Sequence, residues 1–172
     1  MNHDNASGGS HGRISSGIVP GTLVRRTIDF VRDQLPAWRD DPTREAGDSE
    51  EHLNAQLSKF LNVAARHEDF SMVHFHHEER QTARRRVDLS ASPSKSIRIG
   101  SRDHSIYEPF LVMEGKRLPS PSRDREREYV TGNEKRTGGI QRFKLGLHGA
   151  SLETATMIGY LQAGTSTEWH AK

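Results

Sequence analysis

Cysteine is absent from the 172 residues, which removes disulfides, thiolate metal sites and cysteine nucleophiles at once. Aromatic side chains are scarce, at 6%. Leu, Ile, Val and Phe together make up only about a fifth of the chain, enough for a modest core. No apolar run approaches the roughly 18 residues of a bilayer-crossing helix. No basic-then-apolar leader opens the chain either, so a soluble, cytoplasmic protein without membrane partners is expected. Charge of one sign is not in excess, with 25 Lys and Arg against 23 Asp and Glu. Where those charges lie therefore matters more than their sum. The glycine-rich phosphate-binding and dinucleotide-binding patterns are missing, as is a serine nucleophile elbow. Nothing supports nucleotide-driven or serine-hydrolase chemistry.

What is present reads as a tail and one domain. Residues 1–20, rich in Gly, Ser, Asn and His, read as a flexible tail ahead of a single domain over 21–172. Leu23, Val24, Thr27, Ile28, Val31 and Leu35 recur at helical spacing, and Pro36 is expected to stop that helix. Residues 39–48 read as a polar linker. A second helix starts from a cap at Asp48 or Ser49, with Leu53, Leu57, Phe60, Leu61 and Ala64 on one face. Glu50 projects along that same face from its first turn.

Strand patterns follow. In 69–79, Phe70, Met72 and His74 alternate with Val73, Phe75 and His77. Residues 84–92 (RRRVDLSAS) read as a second strand and 96–101 (SIRIGS) as a short third. Phe110 to Met113 form a continuous apolar run, suited to a strand covered on both faces. Residues 119–136 read as a charged, solvated loop. Ile140, Phe143, Lys144 and Leu147 give a further helix closing at His148-Gly149, and 155–161 (ATMIGYL) favours strand over helix. The order predicts an α/β or α+β layered domain with a mixed central sheet flanked by helices.

Two acidic residues sit where core strands disfavour them. Asp88 follows Val87, and Glu114 ends the Phe110–Met113 run, with Gly115 and Lys116 behind it. Residues i and i+2 of a strand share a face, so Glu114 and Lys116 point the same way. Burying charge is costly unless it is paired or binds a metal. His67, His74, His76 and His77, beside Glu78 and Glu79, offer a rival metal reading. They lack zinc-site spacing and fit a solvated or nucleic-acid-facing strand edge better.

A helix bearing an acidic residue, a strand with an isolated Asp, and a strand ending in Glu-x-Lys together resemble the PD-(D/E)XK nuclease superfamily, over roughly residues 49–163. The resemblance implies a restriction-endonuclease-like fold, with an insertion around Ser92–Tyr107 because Asp88 and Glu114 lie far apart in sequence. It implies catalytic roles for Asp88, Glu114, Lys116 and Glu50, with Glu51 the alternative helix carboxylate. Mg²⁺, for which Mn²⁺ can substitute, is expected on Asp88, Glu114, Glu50 and the Gly115 carbonyl, since it prefers hard oxygen donors. Phosphodiester hydrolysis, in DNA and in genome defence or repair, is the implied activity. Arg84, Arg85, Arg86, Arg117, Gln141, Arg142 and Lys144 are the expected nucleic-acid contacts. A homodimer or a specificity-giving protein partner is also expected. The competing expectation is an inactive nuclease-like binding or assembly module.

Overall fold

The computed structural model describes residues 22–44, 49–82, 85–120, 152 and 154–171. Helix α1 spans Leu23–Asp40 and helix α2 spans Glu50–His67. Strands β1 (Val73–Thr82), β2 (Arg85–Pro93), β5 (Leu111–Leu118) and β6 (Ala155–Leu161) form a four-stranded sheet in the order β1-β2-β5-β6. Between β2 and β5, the short strands β3 (Ile97–Ile99) and β4 (Arg102–His104) pair as a separate two-stranded sheet. A short helix α3 (Ser166–His170) follows β6. β2 runs antiparallel to both of its neighbours, β1 and β5, whereas β5 and β6 are parallel. The domain is thus mixed α+β, with helices packed on a mixed sheet.

The core forms between α1, α2 and one sheet face. Leu53, Leu57 and Leu61 of α2 are buried against Phe75, Leu89, Ala91, Met113 and Tyr160. Phe30 of α1 stacks on Phe70 with ring centroids 4.5 Å apart and lies 6.0 Å from Phe75. α2 also closes the outer edge of β1. Asn62 accepts from the Phe75 N–H (3.0 Å) and donates to its carbonyl (2.7 Å), meeting both backbone groups as a further strand would.

Several expectations need correction. α1 does not stop at Pro36 but runs on to Asp40, so the linker begins at Asp41. Proline removes one backbone donor. Here the last turn is held by Trp38, which is buried, lies 5.7 Å from the Tyr160 ring and carries the Arg44 guanidinium over its face at 4.7 Å. Phe70 does not share a strand face with Met72 and His74. It lies in the turn before β1, where its N–H bonds the Ala65 carbonyl (2.9 Å) and its ring is buried, while Met72 is exposed. The third strand is one half of the β3–β4 hairpin and stays outside the main sheet, occupying the insertion expected there.

Ser49 caps α2, accepting from the His52 N–H at 3.1 Å. Asp48, the tail 1–20, the helix expected over 140–147 and nearly all of the charged loop lie outside the described residues. Phe110 to Met113 are buried, as a doubly covered strand requires, and 155–161 is a strand. Among the described residues no helix is long and apolar enough to cross a membrane.

Candidate active site

The β2–β5 ladder pairs Leu89 with Met113, Ser90 with Val112 and Ala91 with Leu111. Continuing this register sets Asp88 opposite Glu114, on the same face. Beyond Met113 the two strands stop pairing, although the backbone of β5 still presents N–H groups toward that side. Side chains take over. Asp88 Oδ2 accepts from the Gly115 N–H at 2.9 Å, and Glu50 Oε1 accepts from the Arg117 N–H at 3.1 Å. Gly115 and Arg117 are two apart, so both donors leave the same edge of the strand. A β2 carboxylate and an α2 carboxylate thus replace the missing ladder partners, and in doing so they are drawn together.

Lys116 rises between them. Its ammonium lies 3.0 Å from Glu114 Oε1, 3.6 Å from Asp88 Oδ2 and 3.6 Å from Glu50 Oε2. It also donates to the Gly115 carbonyl at 2.8 Å. Side-chain exposure climbs from 4% at Glu114 through 13% at Lys116 to 28% at Glu50 and 30% at Asp88. Glu114 is the floor of the cluster, and Glu50 and Asp88 form its mouth.

The electrostatics follow from that burial. Asp88 is pushed above its usual range by desolvation and by the neighbouring Glu114 carboxylate, against the pull of Lys116 and the Gly115 N–H. Burial alone lowers an ammonium pKa, but Glu114, Asp88 and Glu50 more than offset it, and Lys116 lies above its usual value. Lys116 is therefore a firmly charged ammonium at neutral pH. It is suited to donating hydrogen bonds and stabilising negative charge rather than to accepting a proton. With the acids ionised, three carboxylates face one ammonium, and the excess of negative charge on hard oxygens suits a divalent cation.

The chain matches no family model, no curated protein and no solved structure. The site therefore stands on its own geometry.

Glu50, Asp88, Glu114 and Lys116 are brought together; Glu51 lies exposed on the next position of α2 and takes no part in these contacts. Among the described residues no three His, Asp or Glu side chains are gathered for a metal ion. The ammonium, rather than a shared point, is the centre of the acidic groups. Arg117 contributes its backbone N–H, and strand alternation sends its side chain to the face opposite Lys116. Arg86 is tied to Glu78 in an ion pair on the β1–β2 ribbon. Arg85 is described only as a backbone position of β2, and Arg84, Gln141, Arg142 and Lys144 lie outside the described residues. His74 and His76 are exposed on β1, an end strand of the sheet order.

Sequence reasoning missed two residues beneath the site. Tyr160 donates to Asn54 Oδ1 at 2.6 Å, and both are buried. A Cβ on Gly115 would stand 2.8 Å from Tyr160 Cε2 and 2.9 Å from Asn54 Cγ. The glycine between Glu114 and Lys116 is thus the point where β5 meets α2 and β6. The available signal was the spacing of Asn54, one helical turn beyond Glu50 on the apolar face.

Proposed function

We propose that this chain is a metal-dependent phosphodiester hydrolase of restriction-endonuclease-like fold, acting on DNA. The observation that supports it most is the convergence of Glu50, Asp88, Glu114 and Lys116, from one helix and two strands, where β2 and β5 part.

The oxygens of Asp88, Glu114 and Glu50 and the Gly115 carbonyl would hold Mg²⁺ or Mn²⁺, a donor set of the hard type these ions prefer. When bound, such an ion supplies Lewis-acid polarisation and neutralises charge at the scissile phosphate. Lys116, held as an ammonium, donates to a phosphate oxygen or to the attacking water and stabilises the negative charge that builds there. Water oxygen bonds to phosphorus as one P–O ester bond breaks; the water proton is lost to solvent or to a nearby carboxylate, and the leaving sugar oxygen takes up a proton from solvent. Glu50 and Asp88, at the mouth, meet the substrate side of the cluster, while buried Glu114 fixes its floor. A role in genome defence or repair, in the cytoplasm, with a second copy or a protein partner selecting the target, completes the reading.

The observation favouring a binding or assembly module is the ammonium amid the carboxylates, which also serves as a self-neutralised seal on the strand fork. Cleavage of plasmid and short oligonucleotides with Mg²⁺, Mn²⁺ or EDTA separates the two. Metal-dependent cutting by the natural chain, lost in both Asp88→Asn and Lys116→Met, is the expected result. Salt-sensitive DNA binding without cutting, unchanged by both substitutions, assigns the binding module instead.

A further inference from the structure

The Lys116 ammonium touches the same oxygens that make the candidate cation site. It is within 3.6 Å of Asp88, Glu114 and Glu50 carboxylate oxygens and bonds the Gly115 carbonyl at 2.8 Å. Mg²⁺ requires its oxygens at about 2.0–2.1 Å. A divalent ion and an ammonium cannot share one set of ligands at such distances, since the repulsion between them is large in a partly buried site. A lysine is a point charge on a flexible four-carbon stem, so it is the partner able to leave.

We propose that Lys116 is a built-in counter-ion that closes the cation seat, and that a divalent cation binds only by displacing its ammonium from Asp88, Glu114, Glu50 and the Gly115 carbonyl. The inference rests on the nuclease reading for its choice of cation. It adds that the lysine has two stations, one neutralising the carboxylates and one reached when the ion arrives. Lys116 thereby weakens cation affinity and keeps three acidic groups from repelling one another in the metal-free chain. Cation arrival then releases an ammonium beside the site.

Mn²⁺ binding to the full chain, read by loss of the free-ion paramagnetic resonance signal, tests this. Lys116→Met keeps the stem and removes the competitor, and is expected to bind Mn²⁺ at least about tenfold more tightly than the natural chain. A Lys116→Met/Glu114→Gln double variant is expected to lose that gain. Equal or weaker binding by Lys116→Met, or no binding by the natural chain and by Lys116→Met, overturns the proposal.

A second measurement needs no variant and so survives any folding defect. An amine-acylating ester is applied with and without Mn²⁺, and labelling is read by peptide mass spectrometry. Labelling of Lys116 is expected to rise at least about threefold with Mn²⁺, relative to the exposed Lys59 and Lys95. Unchanged labelling overturns the proposal. DNA cleavage is scored separately. A cation-linked release of Lys116 without cleavage leaves this inference standing and removes the nuclease reading, whereas cleavage without release does the reverse.

Discussion

Gly115 and Asp88 each answer to two demands at once. Gly115 must leave room for Asn54 and Tyr160 while its N–H holds Asp88 and its carbonyl holds Lys116. Gly115→Ala forces a methyl group against two buried side chains, and overpacking of this kind typically costs ~1–3 kcal/mol. A urea unfolding free energy lowered by that amount, seen as a lower midpoint, is the expected result. Asp88 carries the opposite cost. Its folded pKa lies above the ordinary 3.8, so the folded state holds the proton more tightly than the unfolded chain does. Stability contributed by the protonated form is present at low pH and lost as pH rises from the ordinary value through the folded one. Asp88→Asn, always neutral, is therefore expected to melt at a higher temperature than the natural chain at pH 7. The difference should vanish as the pH falls below 3.8. Lys116 acts at the alkaline end, where the stability its charge contributes is lost as pH climbs from the ordinary value through the raised one.

At the scale of elements, local pattern and tertiary contact divide the work. The α2 face, the Asp88 strand and the buried β5 run were legible because their periodicity is local, and with them came the positions of Glu50, Asp88, Glu114 and Lys116. Pro36 was misread because the force that carries α1 past it comes from β6. Trp38 lies against Tyr160, far away in sequence, and local propensity does not register that. Trp38→Ala is expected to lower stability by about 3–5 kcal/mol, the usual cost of emptying a buried indole. A loss of helical circular dichroism should accompany it as the last turn of α1 frays. Phe70 was misplaced for a related reason, since its burial under Phe30 is set by the helix end at Ala65 rather than by strand alternation. That Asp88 and Glu50 accept from the Gly115 and Arg117 N–H groups was not legible. It depends on the register at which two strands part.

At the scale of the whole molecule, stability is unevenly spread. The main sheet is backed by α1 and α2, whereas β3 and β4 are three residues each and are tied by the exposed Arg98–Asp103 pair. Exposed ion pairs contribute little, because water screens them and two long side chains must be held in place. Hydrogen exchange is therefore expected to be faster for the β3–β4 amides than for those of Leu111 to Met113. Protection as strong in the hairpin as in β5 contradicts that ordering. The site lies on the stable side of this division, on α2, β2 and β5.

The parting of β2 and β5 also bears on how a chain of this design ages. Asp88 and Glu50 satisfy backbone donors as well as facing the ammonium, so a descendant with no chemistry there would still need a side-chain acceptor at each position to keep the seam sealed. Lys116 satisfies none of the N–H groups of the fork; its ammonium donates to the Gly115 carbonyl and balances charge. Among descendants of this fold, a retained acceptor at positions 50 and 88 would therefore say little about what the cluster does, and the residue at position 116 would be the informative one.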